Sequence, residues 1–192
     1  MNSLFVSTGV VALAEIGDKT QLLAFILAAR FKKPLPIIAG ILLATIVNHG
    51  LAGAVGAWMT AAISPEIMRW LLGASFLAMA VWTMIPDKIE EEETNAARRF
   101  GVFGATLITF FFAEMGDKTQ LATVALSAHY ASPLLVVIGT TLGMLVADVP
   151  AVFVGKNLAA RIPMKLVHSV AAGIFAVLGA ATLLGAGAKF GF

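Results

Sequence analysis

Glu15, Asp18 and Lys19 lie within five residues of one another, inside a run of otherwise apolar sequence. On a continuous helix Glu15 and Asp18 are i,i+3, so both carboxylates share a face, and Lys19 at i+4 offsets part of their charge. Thr20 and Gln21 add neutral oxygens one turn on. The same group returns 99 residues later as Glu114, Asp117, Lys118, Thr119 and Gln120. Two such faces brought together form an oxygen-rich cage suited to a hard divalent ion such as Mn²⁺ or Ca²⁺. Four carboxylates and two lysines are neutralised by one divalent cation, and equally by two protons in its place, which is the exchange that antiport requires. The competing reading is a pair of structural Glu–Lys bridges fixing helix packing.

The elements that must hold these residues are membrane spans. Of 192 residues, 59% are hydrophobic and 12% charged, well off the composition of a soluble domain, and mean hydropathy is +0.93. Six stretches, roughly 4–29, 35–62, 65–85, 100–128, 134–155 and 164–188, are long and apolar enough to span a bilayer. Prolines 34, 65, 133 and 163 stand where helices start or stop. A carboxylate at mid-span costs ~2.5–3.5 kcal/mol on insertion scales, so it needs a partner, water or an ion. The absence of cysteine excludes disulfides and thiolate sites. The net charge of +2 comes with no basic, aromatic-rich tract, so nucleic acid is not an expected partner.

Ala14–Leu22 and Ala113–Leu121 agree at eight of nine positions, and the same offset pairs Pro34 with Pro133 and Gly40 with Gly139. The chain therefore reads as two repeats, 1–85 and 100–192, joined by a charged connector over 86–99. An odd number of spans in each makes the second repeat enter from the opposite side. The expected fold is an all-α membrane protein of six transmembrane helices in two inverted-topology three-helix repeats. Nine of the loop lysines and arginines fall on one side, among them Arg30, Lys32, Lys33, Lys88, Arg98 and Lys156; only Arg69 and Lys189 fall on the other. The positive-inside rule then puts both termini outside the cytoplasm.

Gly17 and Gly116 suit either close helix packing or local unwinding that bares carbonyls to an ion. His49 and Asp148, also 99 apart, are candidates for a proton-coupling or gating pair across the repeat axis, or for a structural hydrogen bond. Asn48 offers a neutral oxygen or interhelical glue. Met115, the one mismatch in the repeated motif, reads as packing. Glu90–Glu93 read as a solvated run, and His168 and Lys165 as interfacial residues.

The duplicated E-x-G-D-K-T resembles the signature of the Gdt-type cation/proton antiporter family, which includes Golgi and chloroplast manganese/calcium transporters and bacterial manganese exporters. The resemblance covers nearly the whole chain and both motifs match without substitution. It implies that Glu15, Asp18, Glu114 and Asp117 bind the metal, with Thr20, Gln21, Thr119 and Gln120 completing the shell and Lys19 and Lys118 tuning affinity. Mn²⁺, or in some members Ca²⁺, would leave the cytoplasm in exchange for protons. No organic cofactor is expected, the metal being the cargo, and the partners are the ion, protons and lipid. The chain shows no targeting extension, which favours a prokaryotic inner (plasma) membrane. Two rivals are a passive divalent-cation channel and an intramembrane aspartyl protease. Lysines beside each acid disfavour the shared-proton chemistry of the protease, so the expectation is a transporter and not an enzyme.

Overall fold

A computed structural model describes residues 2–84, 97–154 and 164–185; residues 86–96 of the connector with Lys88 and Glu90–Glu93, and Lys156, Arg161 and Lys189, fall outside them, as do the side chains of Arg98, Arg99, Lys165 and His168. Residues 97–99 of the expected connector open a helix. The described chain is all helical, with α1 (Asn2–Glu15), α2 (Lys19–Phe31), α3 (Pro34–Ala62), α4 (Pro65–Trp82), α5 (Ala97–Glu114), α6 (Lys118–His129), α7 (Pro133–Val154) and α8 (Met164–Leu183). Pro34 and Pro65 sit in the first turns of α3 and α4, where a missing N–H costs nothing and φ is already helical. The αL residue Lys32 (φ 53°) ends α2 and returns its N–H to Ala28.

Polarity is turned inside out relative to a soluble protein. Glu15, Asp18, Glu114, Asp117, Lys118 and Asp148 are buried, while Leu51, Trp58, Val81, Phe112 and Phe153 are exposed. Only a hydrocarbon surround makes that pattern stable. The chain is a multi-pass membrane protein. Among the described residues, α3 and residues 133–153 of α7 are each long and apolar enough to cross a membrane. Residues 100–129 of the α5–α6 pair, bent by 70° at the break, meet the same standard together, as a broken span or a re-entrant loop. The continuous spans expected over 4–29 and 100–128 are therefore each interrupted. α1 has 14 residues, about 21 Å of helix at 1.5 Å per residue, and falls short of the ~30 Å hydrocarbon thickness by itself.

The two repeats clasp each other. α1 packs on α7, and its equivalent α5 packs on α3, the equivalent of α7. A methyl added at Gly139 would lie 2.6 Å from the Leu4 carbonyl oxygen and 2.9 Å from the Ser7 Cβ. One added at Gly40 would lie 3.0 Å from the Phe103 oxygen and 2.7 Å from the Thr106 Cβ. Each of these residues is 99 positions from its counterpart, so the close approach is reciprocal. It places the ends of α1 and α5, and hence both motifs, side by side inside the bundle.

Candidate metal centre

Both motifs fold as a helix break. α1 stops at Glu15 and α5 at Glu114; the chain turns through Gly17 (φ 86°) and Gly116 (φ 78°), and a new helix starts at Lys19 and at Lys118. Glycine is needed because other residues adopt this left-handed backbone at a cost. Added at Gly116, a Cβ would meet nothing within 4 Å, so no close packing accounts for that glycine. Asp18 and Asp117 occupy the N-cap positions of α2 and α6, with ψ of 168° and 167°, yet neither side chain caps its helix.

The break changes the geometry expected from a continuous helix. Glu15 and Asp18 do not share a helical face, because Gly17 interrupts the 3.6-residue repeat between them. Nor does Lys19 pair with Glu15. Its Nζ lies 3.5 Å from Asp117 Oδ1, and Lys118 pairs in turn with Asp18. Each lysine thus crosses to the aspartate of the other repeat. Gln21 and Gln120 are drawn away from the acids: their Oε1 atoms accept the N–H of Gly17 (2.9 Å) and Gly116 (2.7 Å). These N–H groups lose their helical acceptors at the break, and the glutamine side chains replace them. Gln21 Nε2 also donates to the Ala147 carbonyl of α7 at 3.0 Å.

Three carboxylates remain to face one another. Glu15, Glu114 and Asp117 each present an oxygen, all within 4.8 Å of one another, and all three residues are buried. Glu15 Oε1, Glu114 Oε1 and Asp117 Oδ2 have no hydrogen-bond partner. The second oxygens of the glutamates are held by Thr20 Oγ1 (2.7 Å to Glu15 Oε2) and Thr119 Oγ1 (3.1 Å to Glu114 Oε2). The threonines thereby fix the orientation of both glutamate carboxylates. Asp148 lies in electrostatic range of both glutamates, and both of its oxygens lack partners. Five buried acids against two lysines leave the centre electronegative. Unpartnered buried carboxylate oxygens are costly, and a divalent cation among them would remove that cost.

His49 and Asp148 do not form the pair considered from the sequence: neither ring nitrogen of His49, and neither oxygen of Asp148, has a hydrogen-bond partner. The two lie on α3 and α7, which pack against each other without joining these side chains. Asn48 ties α3 to α5, its Nδ2 donating to the Phe111 carbonyl at 3.0 Å. Met115 is half exposed, so the converging donors are all oxygens. The crossed lysine–aspartate pairs had no signal in the sequence, because a repeat offset says which residues are equivalent and not which ones touch.

The profile of the divalent cation/proton antiporter family GDT1 matches the chain twice, over residues 3–91 and 102–189, one copy per repeat. The chain belongs to the GDT1 family. It is therefore a membrane-embedded transporter of divalent cations rather than an enzyme. A Vibrio cholerae protein named for manganese export is 52% identical over 183 residues, covering 95% of this chain and 90% of that protein. GDT1-like protein 5 of Arabidopsis thaliana is 29% identical, with 93% of each chain covered. GDT1-like protein 3 of Oryza sativa subsp. indica is 28% identical over 91% of this chain and 71% of its own length. No solved structure matches.

Proposed function

We propose that this GDT1-family member exports Mn²⁺ from the cytoplasm in exchange for protons. The observation that carries this reading is the convergence of Glu15, Glu114 and Asp117, drawn from both repeats, with an unpartnered buried oxygen on each. Ionised, the three acids take a divalent cation; protons arriving at the same oxygens release it. Lys118 and Lys19 hold Asp18 and Asp117 and keep the centre from binding the metal too tightly to let go. Asp18 joins the ligand shell when its lysine swings away. Thr20 and Thr119 orient the glutamates, while Gln21 and Gln120 support the breaks at Gly17 and Gly116.

The wider architecture proposed with it is six spans in two inverted repeats, 1–85 and 100–192, about an axis in the membrane plane, with 86–99 as a cytoplasmic connector. The reciprocal contacts of Gly40 and Gly139 support that symmetry. The loop charges support termini outside the cytoplasm of a prokaryotic inner membrane. Manganese is favoured by the likeness to the Vibrio cholerae protein. Calcium is the second reading, because an all-oxygen donor set serves it equally well.

Proteoliposomes with a pH-sensitive dye inside test the proposal, comparing Mn²⁺ and Ca²⁺ fluxes of the wild type, Glu15→Gln and Glu114→Gln. Metal movement with opposite proton flux, lost in both variants, is expected. Metal flux without proton movement would make the protein a channel or uniporter. Normal transport by both variants would move the site elsewhere.

A further inference from the structure

The seam between α3 and α6 carries polar groups that the carboxylate centre does not use. On α6, Thr119, Thr123 and Ser127 follow one another at intervals of four and are all buried, forming one face of hydroxyls. The lowest, Thr119, is bonded to Glu114. The highest, Ser127, has a buried hydroxyl with no partner. On α3 the residues Thr45, His49, Gly53, Gly56 and Thr60 follow the same helical stripe, and Thr45 and His49 are also buried without hydrogen-bond partners. Gly56 lies so close to α6 that an added methyl would sit 2.9 Å from the Ser127 Cβ and 3.0 Å from the Ala128 nitrogen. Just beyond that contact, Thr60 donates to the Ala128 carbonyl (3.0 Å) at the edge of a cavity of about 490 Å³, whose lining includes Thr60, Arg69, Ala128, His129 and Thr182.

In the other repeat Asp148 stands for His49 and Thr20 for Thr119, but four of the remaining positions are apolar. Ala24 and Ala28 stand for Thr123 and Ser127, and Met144 and Val152 for Thr45 and Gly53. Ala24, Leu27 and Val152 belong to a continuous hydrophobic cluster there. Hydroxyls and an imidazole sealed dry along one seam are unfavourable, whereas the same groups lining a hydrated passage are satisfied by water.

We propose that the α3–α6 seam is the route by which water and the transported cation pass between the carboxylate centre and the cavity at the end of α6. In this structure it is closed by the seating of Gly56 on Ser127 and the α6 backbone, with Gly53 held against Val137 of α7. The proposal rests on the transport reading above for the identity of the ion, but not for the existence of the route. Separation of α3 from α6 exposes Ser127 first and Thr123 next, and so connects the cavity to Thr119 and Glu114.

The chain has no cysteine, so single-cysteine variants give a clean test. Ser127→Cys, Thr123→Cys and Ala24→Cys are reconstituted and treated with a membrane-impermeant cationic methanethiosulfonate reagent from the side where α6 ends. Only variants that elute like the wild type in detergent are used. Ser127→Cys and Thr123→Cys are expected to be modified from that side and Ala24→Cys to be spared. Adding Gly56→Ala, whose methyl prevents seating, should raise the Ser127→Cys rate. Absence of labelling at both positions, with and without Gly56→Ala, would overturn the route, as would equal labelling of Ala24→Cys. Mn²⁺ flux through the same vesicles is read separately: labelling without flux leaves the route standing and removes the transport reading, and flux without labelling does the reverse.

Discussion

Lys118 and Lys19 occupy equivalent positions of the two repeats but keep very different amounts of water: the side chain of Lys118 is 1% exposed and that of Lys19 is 29%. Removing one partner of a buried pair leaves the other charge stranded, at about 3–5 kcal/mol. A pair with a partly hydrated member is worth about 1 kcal/mol or less. Lys118→Met should therefore lower the unfolding temperature of the purified protein far more than Lys19→Met. Equal shifts would mean that the crossed pairs are energetically alike. At the same scale Thr119→Val removes the hydroxyl that aims Glu114 and should weaken Mn²⁺ binding, measured by titration calorimetry, while Thr119→Ser retains it.

At the scale of the element, the two helix breaks organise the centre. They stop α1 and α5 at a glutamate and start α2 and α6 beside an aspartate, so each motif turns its acids inward instead of spreading them around a cylinder. Gly116→Ala adds a side chain where space is open but the backbone is left-handed, so its cost is the conformational ~1–2 kcal/mol. It should reduce both thermal stability and metal transport. Gly116→Asn, which tolerates positive φ better, should recover most of both. Full activity in Gly17→Ala and Gly116→Ala would show that the site survives without the breaks.

Across the whole molecule, the halves are locked together by glycines at the α1–α7 and α3–α5 crossings. Gly40→Val and Gly139→Val should each cost about 1–3 kcal/mol by overpacking, and by similar amounts, since the two contacts are equivalent. Gly9→Ala, where a methyl meets nothing within 4 Å, is the control and should leave thermal unfolding unmoved. A large difference between the Gly40 and Gly139 variants would argue that the two crossings carry unequal loads.

The sequence by itself determined the all-helical membrane character, the duplication and the acids at issue, because apolar length, exact repetition and intramembrane charge are local properties of the chain. It also marked Gly17 and Gly116 as places where a helix could unwind. What only the tertiary structure decided is which atoms meet. A helix model put Glu15 beside Asp18 and Lys19. The folded chain instead breaks between them, ties Gln21 and Gln120 to the breaks, crosses each lysine to the other repeat, and leaves Glu15, Glu114 and Asp117 facing one another. It likewise leaves His49 and Asp148 without a hydrogen bond between them. Those outcomes depend on how closely α1 and α5 approach α7 and α3, a packing of residues far apart in the chain, such as Leu4 with Gly139 and Gly40 with Phe103, that no local pattern encodes.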